Sequence, residues 1–204
     1  MTGPHDELVS LVRLGADVVR AGLVVGSGGN LSVRQPGDDA CWVTAAGTWL
    51  DRLDESSFVR VSIPSGACTG TPSTEVALHL ATYRARADVG AIVHLHPQSV
   101  LLLDAVGERV RLVTTDHAFY VRRVGVVPFH PPGSSALAEA AASVAASGYD
   151  CMVLRRHGCS VLGDDVELAH KRVRNLEEAA QLTWRALAAG RAADLTDLGP
   201  PSSA

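Results

Sequence analysis

The stretch Ala91-Ile-Val-His94-Leu-His96-Pro97 decides how the rest of this chain is interpreted. An apolar run of this length that ends at a proline predicts a buried β-strand. Residues two apart on a strand point to one face and lie about 6.6 Å apart along it. His94 and His96 can therefore converge on one metal ion, although two surface histidines give the same local pattern.

Two further signals favour a metal centre over a pair of surface histidines. His157 follows a second strand-like run, residues 151–156, and precedes Gly158. Glu75 stands at the start of a predicted helix, just before the His-X-His strand. Three histidines, one carboxylate and an open position describe a catalytic zinc site. Manganese or cobalt can occupy a similar site, because imidazole ligands discriminate weakly between these metals.

Composition restricts the class of protein. The chain has 204 residues, of which 47% are hydrophobic and 20% charged, which suits one domain with a sizeable core. A net charge of -4 without a basic block argues against a nucleic-acid partner. No apolar run reaches the ~18 residues of a membrane span, and the first residues show no export signal. We therefore expect a cytoplasmic protein that does not bind membranes.

The chain shows no internal repeat and no linker, so we expect one domain over residues 1–190 and a disordered tail over residues 191–204. Residues 110–113 predict a strand, and residues 114–123 a polar loop. The four cysteines lack C-x-x-C spacing, which argues against disulfides and against a cysteine zinc site. Cys159 lies beside His157 and is a weak candidate for a nucleophile.

Four motifs follow one another along the chain. They are Ser27-Gly-Gly-Asn-Leu-Ser-Val-Arg34, Pro72-Ser-Thr-Glu75 with His79, the strand Ala91 to His96, and Arg156-His157-Gly158. In this order they resemble the class II aldolase/adducin family. The resemblance covers about residues 6–190 and implies a three-layer α-β-α domain with a central, mainly antiparallel sheet. It also implies a homotetramer whose active sites lie between neighbouring subunits.

The resemblance also assigns roles to individual residues. His94, His96 and His157 would hold one zinc ion, and Glu75 matches the family's acid/base carboxylate. Tyr120 and His117 are the two candidates for the catalytic residue that a neighbouring subunit donates in aldolases of this kind. The positions that match the family's phosphate pocket are Gly29, Asn30, Gly47, Ser73 and Thr74.

These assignments imply a zinc-dependent carbon–carbon lyase, an aldolase that cleaves a short ketose, expected to be a sugar phosphate, through a metal-bound enediolate. A decarboxylase of a 3-oxo sugar-acid phosphate and a dehydratase of the same family are the alternatives. A non-catalytic, adducin-like interaction module is a third. Epimerases of the family carry aspartate where this chain has Glu75, which argues against epimerisation.

Two departures from the family pattern bear on the substrate. Ala46 stands where the family's phosphate loop has a threonine, so one hydroxyl donor is missing, and Thr48 is a candidate replacement. Residues 120–128 resemble the decarboxylase branch of the family more than its fuculose-phosphate aldolase branch. A substrate carboxylate needs a cation, for which the candidates are Arg122, Arg123 and Arg155.

Overall fold

The computed structural model describes residues 4–35 and 37–199. Its seven strands form one sheet in the order β3-β2-β1-β4-β7-β6-β5. All neighbouring strands in the described chain pair antiparallel except β5 and β6, which are parallel. The predicted, mainly antiparallel sheet is therefore confirmed. The strands are β1 Asn30–Val33, β2 Ala40–Thr44, β3 Phe58–Ser62, β4 Ala91–Leu95, β5 Val124–Val127, β6 Cys151–Leu154 and β7 Gly158–Gly163.

Helices cover both faces of this sheet. They are α1 Pro4–Arg20, α2 Val76–Ala85, α3 Gln98–Ala105, α4 Ser135–Ala146 and α5 Val166–Ala188. One hydrophobic cluster joins one face of the sheet to α1, α3 and α5, and a second joins the opposite face to α2 and α4. This arrangement confirms the three-layer α-β-α domain.

Strand β4 lies at the centre of the sheet, between β1 and β7. All five of its residues are buried, which explains its nearly continuous apolar sequence. Ala91, Val93 and Leu95 belong to the cluster of α1, α3 and α5, whereas Ile92 belongs to that of α2 and α4. Because strand side chains alternate, His94 lies on the same face as Ile92, beneath α2 and α4.

The segment before β5 differs from its prediction. The expected strand at residues 110–113 is wrong, because the backbone there pairs with side chains and with the C-terminal segment rather than with another strand. Arg111 N donates to Thr183 Oγ1 at 3.0 Å, and Leu112 N donates to Asp197 Oδ1 at 2.8 Å. The expected polar loop contains a π-helical turn, His117–Val121.

The C-terminal segment is described as far as residue 199. It contains a short 3-10 helix, Ala192–Asp194, and Leu198 N donates to the Leu112 carbonyl oxygen at 2.7 Å. These contacts attach residues 191–199 to the domain, which the sequence did not indicate. Residues 200–204 of the predicted disordered tail lie outside the described residues, and the boundary at residue 190 stays a prediction. Within the described ranges, no helix combines the length and apolarity needed to cross a membrane.

Candidate metal centre

His94 and His96 lie at the end of β4, where backbone pairing fixes the first ring. His94 is fully buried, and its Nδ1 donates to the Cys159 carbonyl oxygen on β7 at 2.9 Å. This hydrogen bond selects the tautomer whose Nε2 keeps a free lone pair. That Nε2 lies 3.2 Å from His96 Nε2. Two nitrogens bound to one tetrahedral zinc ion lie about 3.3 Å apart, so the spacing suits a shared metal.

His157 reaches the same place from the hairpin between β6 and β7. Its ring centroid lies 4.8 Å from that of His94 and 5.3 Å from that of His96. One ligand nitrogen from each of the three rings lies within 4.8 Å of the other two. Gly158 permits this approach, because a Cβ there would lie 2.3 Å from the Leu95 carbonyl oxygen.

The protonation of the three rings suits metal binding. Burial, followed by the charges of His96 and His157, holds the pKa of His94 well below its usual value. Burial lowers the pKa of His96, and burial together with His96 lowers that of His157 to about 4. The rings are therefore neutral near pH 7, the form that binds metals. His157 Nδ1 is buried and has no hydrogen-bond partner among the described residues. This donor set fits a divalent ion such as zinc.

Glu75 lies beside the histidines at the N-terminal end of α2. The residue is 5% exposed, and its Oε2 is buried without a hydrogen-bond partner in the described chain. Burial raises the pKa of the carboxyl group, while a backbone hydrogen bond from Gly133 opposes the rise. A carboxyl group with a raised pKa and an unpartnered oxygen is equipped to hold and release a proton.

One cavity of about 410 Å³ contains all of these groups. We call it the site cavity. Its lining includes no lysine or arginine from the described residues, so an anionic ligand would meet neutral donors and any bound metal. The predicted ligands, the acid/base residue and the predicted phosphate pocket all line it: His94, His96, His157, Glu75, Gly29, Asn30, Gly47, Ser73 and Thr74.

The turn at residues 45–48 shows what the missing threonine changes. Gly47 has φ of 75°, as a type II turn requires, and Thr48 N donates to the Ala45 carbonyl oxygen. The Thr48 hydroxyl also donates to the Ala45 carbonyl oxygen, at 2.9 Å. Its hydrogen is therefore used inside the turn, and Thr48 does not replace the donor lost at Ala46. Gly47 N has no acceptor among the described residues and stays free for a ligand.

Tyr120 and His117 lie elsewhere in the chain, on the π-helical turn. His117 is fully buried, where its Nδ1 accepts from Val113 N and its Nε2 lies 3.3 Å from the Glu178 carboxylate. The Tyr120 carbonyl oxygen accepts from Arg172 Nε at 3.2 Å. Neither residue lines the site cavity of its own chain. The prediction that one of them completes a neighbouring subunit's site stays a prediction.

The three arginines considered for a substrate carboxylate line a different cavity. It measures about 500 Å³ and lies beside β5, at the edge of the sheet, and we call it the edge cavity. Arg122, Arg123 and Arg155 line it, so within one chain none of them reaches the site cavity, and their expected role is not met there. Cys159 is also no nucleophile candidate, because it is fully buried and burial raises the pKa of its thiol.

The chain is similar to known proteins over most of its length. Residues 9–184 match the family described as the Class II Aldolase and Adducin N-terminal domain. The chain belongs to this family. It is 34% identical to the L-fuculose phosphate aldolase of Methanocaldococcus jannaschii over 160 residues, which are 78% of this chain and 86% of the relative.

Two further relatives show the range of reactions found among members of this family. A 3-oxo-tetronate 4-phosphate decarboxylase from Pectobacterium atrosepticum is 34% identical over 180 residues, 85% of this chain and 82% of the relative. The crystal structure of an L-fuculose-1-phosphate aldolase from Thermus thermophilus superposes with a TM-score of 0.81 at 25% identity, covering 90% of this chain and 95% of that chain. The relatives thus include both an aldolase and a decarboxylase of phosphorylated compounds.

Sequence motifs pointed to the ligand and pocket residues but not to the groups that orient them. The Cys159 carbonyl is one such group, and only the pairing of β4 with β7 reveals it. His79 accompanies Glu75 in its motif, but the motif assigns it no role. It is fully buried, and both of its ring nitrogens have polar side-chain neighbours.

Proposed function

We propose that this chain is a metal-dependent lyase that cleaves a carbon–carbon bond in a short phosphorylated ketose, with aldol cleavage as its reaction. His94, His96 and His157 would hold zinc, and Glu75 would act as the acid/base residue. One observation carries the proposal: three neutral imidazoles and a carboxyl group with an unpartnered oxygen share the site cavity. The family relationship supports it, because the relatives include a fuculose phosphate aldolase.

The histidines suit this chemistry because they are neutral. When bound, a divalent metal supplies a Lewis acid for the ketone and hydroxyl oxygens of the substrate. Neutral ligands leave the full positive charge of the ion available to those oxygens. The hydrogen bond from His94 to the Cys159 carbonyl oxygen keeps the ligand nitrogen in place, so little reorganisation is needed when a substrate enters.

Glu75 supplies the proton. Aldol cleavage transfers one proton overall. The hydroxyl group on the carbon that becomes the aldehyde loses a proton, and the carbon next to the ketone, which keeps the electron pair of the broken carbon–carbon bond, gains one. Burial raises the pKa of Glu75, so this carboxyl group holds a proton more readily than an exposed glutamate does. In the reverse direction the same group accepts the proton. Acid–base catalysis of this kind contributes roughly 10²–10⁴-fold to a rate.

The neutral donors of the site cavity support a phosphorylated substrate. Asn30, Ser73 and Thr74 provide side-chain groups, and Gly47 N is a free backbone donor. Ala46 removes one hydroxyl from this set, so we expect the phosphate group to depend more heavily on Asn30 and on the backbone. Gly29 contributes by shape, since a Cβ there would lie 2.7 Å from the His94 carbonyl oxygen.

Decarboxylation of a 3-oxo sugar-acid phosphate is the second candidate. The similarity to a 3-oxo-tetronate 4-phosphate decarboxylase supports it, and the same Glu75 would protonate the carbon that loses carbon dioxide. Against it, no guanidinium group lines the site cavity in the described chain. We therefore place aldol cleavage first. A dehydratase would keep the same ligands but break a carbon–oxygen bond.

We also propose that the enzyme is a cytoplasmic homotetramer in which the π-helical turn approaches a neighbouring site cavity. Phe119 on this turn is 62% exposed, and Tyr120 stacks edge-on against it at 5.0 Å. A large exposed aromatic residue favours a contact with another chain. Light scattering should give a mass near four chains, and a monomer that turns over substrate would contradict this part of the proposal.

The proposed reaction is tested with a panel of ketose phosphates and 3-oxo acid phosphates. Aldolase activity gives an aldehyde together with dihydroxyacetone phosphate, whereas decarboxylase activity gives carbon dioxide. A dehydratase releases neither carbon fragment. Metal analysis of the same sample separates all three enzymes from an interaction module, which need bind no metal. A metal-loaded protein that converts no member of the panel would contradict the proposal.

A further inference from the structure

A row of four buried polar side chains lies behind the site cavity, between the sheet and α2. The Tyr83 hydroxyl lies 2.8 Å from Ser32 Oγ, which lies 2.6 Å from His79 Nδ1. His79 Nε2 lies 2.5 Å from Asn30 Oδ1. Ser32 and His79 are fully buried, and Asn30 at the front of the row lines the site cavity.

The orientation of the Asn30 amide, whose Oδ1 faces His79, sets the direction of the hydrogen bonds along the row. An amide oxygen can only accept, so His79 Nε2 must carry the hydrogen that it donates to Asn30 Oδ1. Burial lowers the pKa of His79 to about 3, so the ring is neutral and its Nδ1 has no hydrogen. Nδ1 therefore accepts from the Ser32 hydroxyl. Ser32 Oγ in turn accepts from the Tyr83 hydroxyl at 2.8 Å, since the Gly90 carbonyl oxygen, the other acceptor near this hydroxyl, is farther away at 3.4 Å.

This direction determines what Asn30 offers to a ligand. Its Oδ1 is held by His79, so its Nδ2 is the part of the amide that stays available at the cavity. No partner for Nδ2 is found among the described hydrogen bonds of residues 4–35 and 37–199. An amide that was free to rotate by 180° would present either a donor or an acceptor. The row of hydrogen bonds removes that choice and makes Asn30 a donor.

We propose that His79 is a positioning residue that, with Ser32 and Tyr83 behind it, fixes the Asn30 amide as a donor and so selects a ligand with an acceptor-only oxyanion at this position. This inference rests on the proposed function for the choice of a phosphorylated substrate. It adds a buried source of specificity. The exposed oxygens of a phosphate group all accept hydrogen bonds, so phosphate is favoured over a neutral group that must donate one. The Asn30 donor also offsets part of the loss at Ala46.

The first measurement is the tautomer of His79, read from ¹⁵N NMR of the intact, metal-loaded protein between pH 6 and 8. We expect Nε2 to carry the hydrogen and Nδ1 to be unprotonated throughout. A ring protonated at Nδ1 would overturn the inference, because Asn30 Oδ1 would then have no donor. This measurement needs no variant and no substrate, so it does not depend on any variant folding.

The second measurement is the affinity for inorganic phosphate, followed by calorimetry. His79→Leu should weaken phosphate binding about tenfold, the effect of a lost hydrogen bond of ordinary strength, with the metal content unchanged. His79→Gln keeps an N–H at the same number of bonds from Cα and should restore most of the affinity. Asn30→Asp keeps the acceptor for His79 but removes the donor, and should lose phosphate binding.

Thr82→Val is the matched control. Thr82 is fully buried on the same helix, but its hydroxyl donates to the Leu78 carbonyl oxygen and not to the row. Equal weakening in this variant would overturn the inference, since general loosening of α2 would then explain the effect. Unchanged binding in His79→Leu or in Asn30→Asp would also overturn it, because phosphate would then sit on the metal alone. A wild-type protein that binds phosphate through this row but cleaves no substrate would contradict only the lyase proposal.

Discussion

The site cavity and the edge cavity have similar volumes, about 410 and 500 Å³, but opposite chemistry. The edge cavity holds more formal charge, yet three of its four described arginines already have partners, and Arg155 lies 3.6 Å from Asp104. Arg109 pairs with Asp197 at 2.6 Å, and Arg123 donates to two backbone carbonyl groups. Among the described residues, no lysine or arginine lines the site cavity, which contains the unpartnered Glu75 Oε2. An unpartnered carboxylate oxygen beside three neutral imidazoles, rather than size or charge, distinguishes the cavity that is equipped for chemistry.

The strongest test of this contrast removes a metal ligand from the site cavity. His157→Ala should reduce the bound metal from about one ion per chain to almost none, because two imidazoles remain where a catalytic zinc site uses three protein ligands. Turnover should disappear with the metal. Elemental analysis after dialysis measures the first effect. His170→Ala, a histidine paired with Asp17 outside the site cavity, is the control and should keep its metal.

Substitution of Glu75, the proposed acid/base residue, should separate metal binding from catalysis. Glu75→Gln keeps the shape of the side chain but not its proton chemistry, so metal content should stay unchanged while turnover falls roughly 10²–10⁴-fold. Steady-state kinetics and elemental analysis on one preparation measure both quantities. Unchanged turnover would remove Glu75 from the mechanism.

Asp104 connects the two cavities. Its loss should therefore weaken metal binding in the site cavity, although Asp104 itself lines only the edge cavity. It lines the edge cavity, and its Oδ2 accepts from Arg156 N at 2.6 Å in the hairpin that carries His157. Arg156 has φ of 57°, a strained value for a residue other than glycine, so this turn needs support. Asp104→Ala should weaken metal affinity about tenfold, the lower end of the effect of losing an outer partner.

Competition with a coloured chelator measures this affinity. Asp104→Asn keeps an acceptor oxygen for Arg156 N and should behave nearly as the wild type does. If Asp104→Ala binds metal as tightly as the wild type does, the hairpin positions His157 without the hydrogen bond between Arg156 N and Asp104.

The pH dependence of the free energy of unfolding should reveal that the buried His79 ring behind the site cavity is neutral. Burial lowers the pKa of His79 to about 3 in the folded chain, whereas an unfolded histidine titrates near pH 6.5. The unfolded state therefore binds one more proton between these values, and His79 destabilises the fold as the pH falls from 6.5 towards 3. The slope for one proton is about 1.4 kcal/mol per pH unit.

Urea unfolding of the wild type and of His79→Gln at several pH values isolates this contribution. We expect the variant to lose less stability than the wild type over the same range. Parallel curves for the two proteins would show that the His79 ring is not kept neutral in the fold.

The smallest effect is expected in the edge cavity itself. Arg155→Ala removes a side chain that is 52% exposed and lies 3.6 Å from Asp104, so metal content and turnover should stay within about twofold of the wild type. The same panel of substrates provides the measurement. A loss of turnover confined to 3-oxo acid phosphates would instead give this arginine a role in binding a substrate carboxylate, across a subunit boundary.

The residues around the site cavity could be predicted from the sequence because the patterns that indicate them are local. The apolar runs of β4 and β6 mark buried strands, and the spacing of His94 and His96 follows from the two-residue period of a strand. His157 follows a second strand-like run and Glu75 stands at the start of a predicted helix, and the resemblance to the family then assigned their roles. The structure brings these four residues into one cavity.

The edge of the sheet was less predictable because its partners are distant in sequence. Residues 110–113 alternate as a strand does, but Arg111 and Leu112 bond to Thr183 and Asp197, more than seventy positions later. No local pattern shows such partners. The expected role of Arg122, Arg123 and Arg155 in binding a substrate carboxylate was not met within one chain for a related reason. The charge of a side chain can be read from sequence, whereas the cavity that it faces depends on strand order.

The hydrogen bond that orients His94 comes from the main chain of residue 159 and not from its thiol. Exchange of the side chain at this position therefore leaves the acceptor in place, so long as β7 keeps its pairing with β4. A variant library at residue 159 can vary packing beneath the metal centre while the ligand tautomer stays constant. The oxidation-sensitive thiol of Cys159 can thus be removed by substitution while the hydrogen bond that orients the His94 ring is kept.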